Sequence, residues 1–282
     1  MIQQKLPLLL ALILLGGCAV QIARPTAPEG PSLATASATE LLGVLRGRES
    51  ALRSLDALGK IRVEAPQGGR FRASQVVMAM APAAFRIEVL APFGISYVVA
   101  SDGQQLATLA TQENSVHRGP ATALSIQLTT GVAADGEEIT ALLLGRPPVA
   151  ADALRSTWTS RPSGRAKAGA AEVFLHAADG ASSVVIGFAR VVVERSLVAV
   201  PVSFQRIARN GERLLKASFK DFAGKKGVLI PRRIHIEAAG SSARIEYRDF
   251  EPNKPLPASA FLLATPPGMQ EFALPTAAPA AP

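Results

Sequence analysis

The feature that most constrains this chain is a long series of segments in which apolar and polar residues alternate. Residues 61–64 read Ile-Arg-Val-Glu, and residues 245–248 repeat the pattern as Ile-Glu-Tyr-Arg. A period of two is typical of strands with one buried face. Turn signals such as Asp102-Gly103 and Asn210-Gly211 fall between the runs. The sequence therefore predicts a meander of antiparallel strands and not a series of βαβ units.

One helical segment precedes this series of roughly eleven strands, and a second interrupts it. The first covers residues 40–58, where Ser37 and Glu40 fit a capping box at the start and Gly59 ends the helix. The second covers residues 121–146, where Asp135 is a candidate N-cap. We therefore expect a mainly β protein of the α+β class, built on a single antiparallel sheet.

A single sheet of this length has to curl, and its apolar concave face has to be covered. Two short helical segments are too few to fill a wide curled sheet, so an apolar cavity remains in which an acyl chain could lie. The alternative is a concave face that is completely packed by the protein's own side chains.

The alternation assigns eight apolar residues to this hydrophobic cavity. Methionine suits such a site because its flexible side chain adapts to irregular ligands. For each residue the alternative role is ordinary core packing. The eight are Val76, Met78, Met80, Ile87, Val89, Tyr97, Val99 and Phe219.

The amino terminus carries a targeting signal. Lys5 and an apolar run that ends at Leu15 have the order of a secretory signal peptide over residues 1–17. The run closes on Leu15-Gly16-Gly17-Cys18, which resembles the bacterial lipobox, and Cys18 is the single cysteine of the chain. The resemblance implies that Cys18 is acylated and anchors the protein. The alternative is an ordinary signal peptide followed by an unrelated cysteine.

The lipobox sets the expected organisation of the mature chain. Residues 18–38 are the lipidated cysteine and a flexible tether rich in Pro, Ala, Ser and Thr, residues 39–274 are the folded domain, and residues 275–282 are a disordered tail. In the lipoprotein class, Asp after the cysteine retains the protein in the inner membrane. Ala19 at that position implies a lipid-anchored protein of the outer membrane that faces the periplasm.

Composition argues against several function classes. One cysteine and three widely spaced histidines leave no metal site, and no motif of a hydrolase, metalloprotease or phosphate-binding loop is present in the sequence. We expect no enzyme activity and no cofactor, with a dispersed active site as the alternative. The net charge of +8 favours anionic surfaces, but export disfavours nucleic acid as a partner.

Three stretches resemble one family. Residues 85–94 read FRIEVLAPFG, residues 131–147 read GVAADGEEITALLLGRP, and residues 245–257 read IEYRDFEPNKPLP before Phe261 and Pro267-Gly268. They are similar, in the same order, to segments of the LolA/LolB-like lipoprotein-sorting superfamily. The first resembles an "RYRLLLTNPLG" segment of the outer-membrane lipoprotein receptor LolB, and the last resembles an "N-x-P-L-P" closing turn.

The resemblance implies an unclosed β-barrel with a helical lid around a hydrophobic cavity. It also implies non-covalent binding of the acyl chains of lipoproteins, received from a periplasmic carrier and inserted into the membrane. Phe93 occupies the position of the family's exposed apolar loop residue, with a role in membrane insertion; the alternative is a turn residue tucked into the core. Ala91 replaces the family's Asn, and the tryptophan of the second segment is absent.

Three function hypotheses follow. The first is receipt or insertion of lipoproteins at the outer membrane through bound acyl chains. The second is an envelope scaffold that uses the same fold to hold a protein partner. The third is a carrier or sensor of another amphiphile, such as lipopolysaccharide or a glycolipid, since an apolar wall does not distinguish acyl chains by their source.

Overall fold

The computed structural model describes residues 33–65, 69–149, 158–162, 171–176, 182–193 and 196–275. The predicted signal peptide, Cys18, most of the tether and nearly all of the tail lie outside these ranges. The last residues of the expected tether are part of the fold, because Leu33–Thr35 forms a 3₁₀ turn and Leu33 is buried in the main core.

The described chain is mostly β. The helices are α1 (Ala38–Ala51), α2 (Ala123–Thr130) and α3 (Gly136–Leu143). The strands are β1 (Ser54–Glu64), β2 (Arg70–Met80), β3 (Ala84–Ala91), β4 (Gly94–Ser101), β5 (Gln105–Ala110), β6 (Ser115–Pro120), β7 (Thr159–Pro162), β8 (Ala171–His176), β9 (Ser182–Val193), β10 (Ser196–Ala208), β11 (Arg213–Lys225), β12 (Val228–Ala238), β13 (Ser241–Pro252) and β14 (Gln270–Ala273).

All fourteen strands form one sheet in the order β14-β6-β5-β4-β3-β2-β1-β13-β12-β11-β10-β9-β8-β7. Neighbours are antiparallel except β14, which pairs in parallel with β6. The sheet ends at β14 and β7, so it is not closed. The predicted fold class is confirmed: one long sheet, curled and unclosed, carries a few helices. The strand number exceeds the expected eleven partly because four-residue strands such as β7 and β14 are too short to show a period of two.

The predicted capping box at Ser37 and the predicted N-cap at Asp135 are confirmed, but the first helix is shorter than expected. Ser37 caps α1 through Glu40, and Asp135 caps α3 through Glu138. Helix α1 ends at Ala51 and not at residue 58, because Asn253 donates its Nδ2 to the Ala51 carbonyl at 2.7 Å and accepts from the Arg53 amide at 2.8 Å. Residues 54–58 then belong to β1.

Two apolar cores lie on the two faces of the sheet. The larger core joins the inner face to α1, α2 and α3, and it contains Leu41, Ile126, Leu142, Phe204 and Phe219. The smaller core lies on the outer face of β4, β5 and β6, where Leu263 of the carboxyl-terminal segment covers Val98 and Val116. The sheet is therefore covered by helices on its concave side and by a terminal strap on one part of its convex side.

Candidate functional site

The register of β1 to β4 fixes which side chains face inward. Leu55 is opposite Ala79, and Ala57 is opposite Val77; all four are buried in the inner core. Directly paired residues share a face in an antiparallel sheet. Since Val77 pairs with Ile87, and Ile87 pairs with Val99, this inner face continues across four strands without a break.

Five of the eight predicted cavity residues lie on this inner face. Ile87, Val89, Tyr97 and Val99 occupy it on β3 and β4 through the pairs Ile87–Val99 and Val89–Tyr97. Phe219 lies on the far side of the curl, opposite Ile234, and is fully buried. Ile87 and Tyr97 are half-buried and pack against the main core.

The other three predicted cavity residues need a correction. Val76, Met78 and Met80 are half-buried on the outer face of β2, where Met78 lies between Asp56 and Arg86. Their neighbours Val77 and Ala79 face the core instead. Residues 76–80 are apolar at every position, so alternation alone could not choose between the two faces.

Helices α2 and α3 form a lid over the inner face. Buried Ile139, Leu142 and Leu143 point the apolar side of α3 into the core. The lid is held on the β10 side by an ion pair between Arg206 and Glu138. It is held on the β13 side by the Tyr247 hydroxyl, which donates to the Leu143 carbonyl at 2.8 Å.

On the described part of β1 and β2, the inner face is less covered than it is beneath the lid. Ile61, Val63 and Ala73 are half-buried and Phe71 is 47% exposed, and the register places all four on the inner face. We call these four residues the open strip. Beneath the lid, by contrast, residues such as Phe85 and Leu106 are completely buried. A ligand chain could therefore reach the inner face first at the open strip.

Phe93 stands at the turn between β3 and β4, and its side chain is fully exposed at 104%. Because Leu90 pairs with Ser74, the turn that follows lies beside residues 71–73 of β2. Ile95, next to the turn, is also exposed at 41%. The exposed Phe93 and Ile95 thus project next to the open strip, and we call them the Phe93 tip.

A cavity of about 370 Å³ lies between α1, the β2–β3 turn and α3. Arg48 and Arg146 line it, and the Nε of each is buried without a hydrogen-bond partner in the structure. Burial and repulsion by Arg146 lower the pKa of Arg48 to about 10. Glu49 and Glu137 also line the cavity, so it is polar and is not the apolar chamber expected from the sequence.

Within the described ranges, no group of three or more histidine, cysteine, aspartate or glutamate residues is arranged to hold a metal ion. No described helix is long and apolar enough to cross a membrane.

The fold occurs in solved structures of low sequence identity. A putative outer-membrane lipoprotein-sorting protein domain from Vibrio parahaemolyticus matches with a TM-score of 0.52 and 9% identity, over 79% of this chain and 95% of that one. A DUF1329 family protein from Desulfovibrio piger matches with a TM-score of 0.53 and 12% identity, over the same shares. A LolA superfamily protein from Nitrosomonas europaea has a TM-score of 0.49 at 15% identity, over 80% and 98%.

No protein-family model and no curated protein sequence matches this chain. The two structures with TM-scores above 0.5 share its fold. The fold expected from the sequence, one curled and unclosed antiparallel sheet with a few helices, is therefore also found in these solved proteins.

Proposed function

We propose that this protein is a lipid-anchored protein of the bacterial outer membrane that binds acyl chains without covalent chemistry and delivers lipoproteins to the membrane. The observation that carries the proposal is the predominantly apolar inner face, which leads from beneath the lid to the open strip and ends beside the exposed Phe93. The buried Gln75, between Val77 and Ala73, is a polar residue on this path. A curled sheet with one such face offers acyl chains a large apolar contact area.

The packing of the inner face gives this proposal its mechanism. Since Phe85, Phe219 and Leu142 are completely buried together, an acyl chain needs the lid to move aside before it can bind at depth. Two polar contacts hold the lid, the Arg206–Glu138 ion pair and the Tyr247 hydrogen bond. Each is worth on the order of 1 kcal/mol net. About 0.8 kcal/mol per buried methylene offsets the loss of these two contacts within a few carbons, and the rest of the acyl chain replaces the apolar contacts that Ile139, Leu142 and Leu143 give up.

The fold neighbours support the biological setting. One of them is described as a putative outer-membrane lipoprotein-sorting protein domain, and the lipobox at Cys18 fits an acylated envelope protein. Anchoring by Cys18 would hold the open strip and Phe93 within reach of the bilayer, which is where acyl chains have to be delivered.

The test measures binding of a fluorescent fatty acid to the full chain carrying Cys18→Ser, so that the protein's own acyl groups cannot occupy the site. We expect saturable binding that Ile87→Gln weakens. Met78→Gln is the matched control, because Met78 is equally half-buried but faces outward from the neighbouring strand. Absence of saturable binding by a folded protein, or equal losses in both variants, would contradict the proposal.

A further inference from the structure

On the outer face, three arginines and one histidine lie directly opposite one another across four strands. On that face Arg62 is opposite Arg72 and also opposite Arg244, and Arg244 is opposite His235. The three arginines are exposed. We call these four residues the arginine row. Adjacent members share one ladder position, so their Cβ atoms are roughly 5 Å apart.

This arrangement is unfavourable for the isolated protein. Like charges directly opposite each other destabilise an antiparallel pair, whereas opposite charges stabilise it. At the next outward-facing position, residues of opposite charge lie opposite each other on the same strands. There Lys60 faces Glu246, and Glu246 faces Arg233. The arginine row lacks such an intervening carboxylate, so an anion from outside the chain would relieve its repulsion.

The row lies in a surface depression of about 410 Å³. Lys60, Lys220 and Arg233 also line this depression, and Glu246 is its only acidic lining residue among the described positions. The Nε2 atom of His235 is buried there without a hydrogen-bond partner. Burial lowers the pKa of His235, and Arg244, Lys216 and Lys220 lower it further, while Glu237 opposes them. Asp221 pairs with Arg233, and Glu237 lies 3.6 Å from His235. The six cationic side chains that line the depression still outnumber these two carboxylates and Glu246, so the field there is positive.

The depression is close to the Phe93 tip. Phe71 precedes Arg72 on β2, and the Phe93 turn lies beside residues 71–73 of that strand. A bilayer surface offers two contacts at once, with phosphates for the arginines on the outer face and an apolar interior for Phe93 at the end of the sheet. The row also extends across four strands, about 14 Å, which is longer than one phosphate ion can contact.

We propose that the arginine row binds the phosphate groups of anionic phospholipids and docks the outer face of β2, β1, β13 and β12 on the membrane, next to the Phe93 tip. This interaction is independent of acyl-chain binding on the inner face. It adds an electrostatic contact to the anchor at Cys18 and fixes which side of the sheet meets the headgroups.

The experiment measures co-sedimentation of the full chain with Cys18→Ser on two kinds of vesicle, phosphatidylcholine alone and phosphatidylcholine with phosphatidylglycerol. We expect binding only to the anionic vesicles, and binding that weakens as salt is raised. Removing two cations by Arg62→Gln and Arg244→Gln should weaken it about thirtyfold, since one cation near a membrane is worth a factor of about five.

The matched control removes two exposed arginines elsewhere, by Arg53→Gln and Arg209→Gln, and changes the net charge equally. It should keep most of the binding. Thermal unfolding checks the fold, and the row variant should be at least as stable as the parent because a like-charge contact is removed. Fatty-acid binding should be unchanged in the row variant, which separates this proposal from the proposed function.

Three outcomes would overturn the proposal. The row variant could bind anionic vesicles as well as the parent does, the control could lose as much binding as the row variant, or the parent could bind both vesicles equally. Direct binding of millimolar inorganic phosphate to the parent and not to the row variant, with no binding of the parent to either vesicle, would assign the row to a free anion and would likewise overturn membrane docking.

Discussion

Tyr247→Phe is the most direct test of how the lid is held. The hydroxyl donates to the Leu143 carbonyl at 2.8 Å, and both groups are buried. Leu143 is the last residue of α3, so its carbonyl has no partner within the helix. Removing the hydroxyl therefore loses one hydrogen bond and leaves a buried acceptor unpaired.

The expected cost follows from that geometry. A buried group left without its partner costs about 1–3 kcal/mol. For a folded region of this size, each kcal/mol lowers the melting temperature by about 2–4 °C, which gives a decrease of about 2–12 °C. Burial also raises the pKa of Tyr247, so the hydroxyl stays a donor across the whole range in which the protein would be studied.

The assay combines thermal unfolding with amide hydrogen exchange in α3. The chain has only one other tyrosine, Tyr97, which is half-buried and whose hydroxyl pairs with the Thr108 side chain and not with the lid. Tyr97→Phe is therefore the matched control, with an expected cost below about 1 kcal/mol. If both variants unfold at the same temperature, or if exchange in α3 is unchanged in Tyr247→Phe, the hydrogen bond does not hold the lid.

Three further changes test other parts of the structure. In Gly59→Ala the new Cβ would lie 2.3 Å from the Glu246 carbonyl oxygen, so urea unfolding should show a loss of about 1–3 kcal/mol. Phe93→Glu should leave stability and fatty-acid binding unchanged, because the side chain is fully exposed, but should abolish transfer of acyl chains to vesicles; normal transfer would argue against insertion. Hydrogen bonds from Lys225 and then Lys226 lower the pKa of Glu251 to about 2. That contribution to stability is complete above pH 4.5, the ordinary pKa, and is lost as the pH falls towards 2. Glu251→Gln should therefore flatten the pH dependence of unfolding in this window, and an unchanged slope would show that the ion pair contributes nothing.

The sequence predicted the local structure correctly where a single local pattern, such as apolar–polar alternation or a helix cap, was unambiguous. In strand β3 the apolar Ile87 and Val89 alternate strictly with the charged Arg86 and Glu88. Ile87 and Val89 lie on the inner face, as expected. The capping boxes at Ser37 and Asp135 are local motifs of four residues, and both start helices where predicted. Such signals depend only on neighbours in the chain, so they can be recognised without the fold.

The spacing of apolar residues gave a wrong prediction where the same residues fit both a helix and a strand. Leu52, Leu55 and Leu58 recur at helical spacing, yet the helix stops at Ala51. The residue that ends it is Asn253, which bonds the backbone of Ala51 and Arg53 from about two hundred positions away. A cap supplied by so distant a residue is invisible to any local pattern.

By itself, then, the sequence determined the meander of strands, the starts of the helices and the apolar Phe93 at a turn, because each follows from the period or chemistry of adjacent residues. Only the tertiary structure decided which face of β2 points inward, since Val76 to Met80 are apolar on both faces and the choice depends on pairing with Leu55 and Ala57. The same pairing of distant strands brought Arg62, Arg72 and Arg244 into one row. Register is a property of strands in contact, and no single strand contains it.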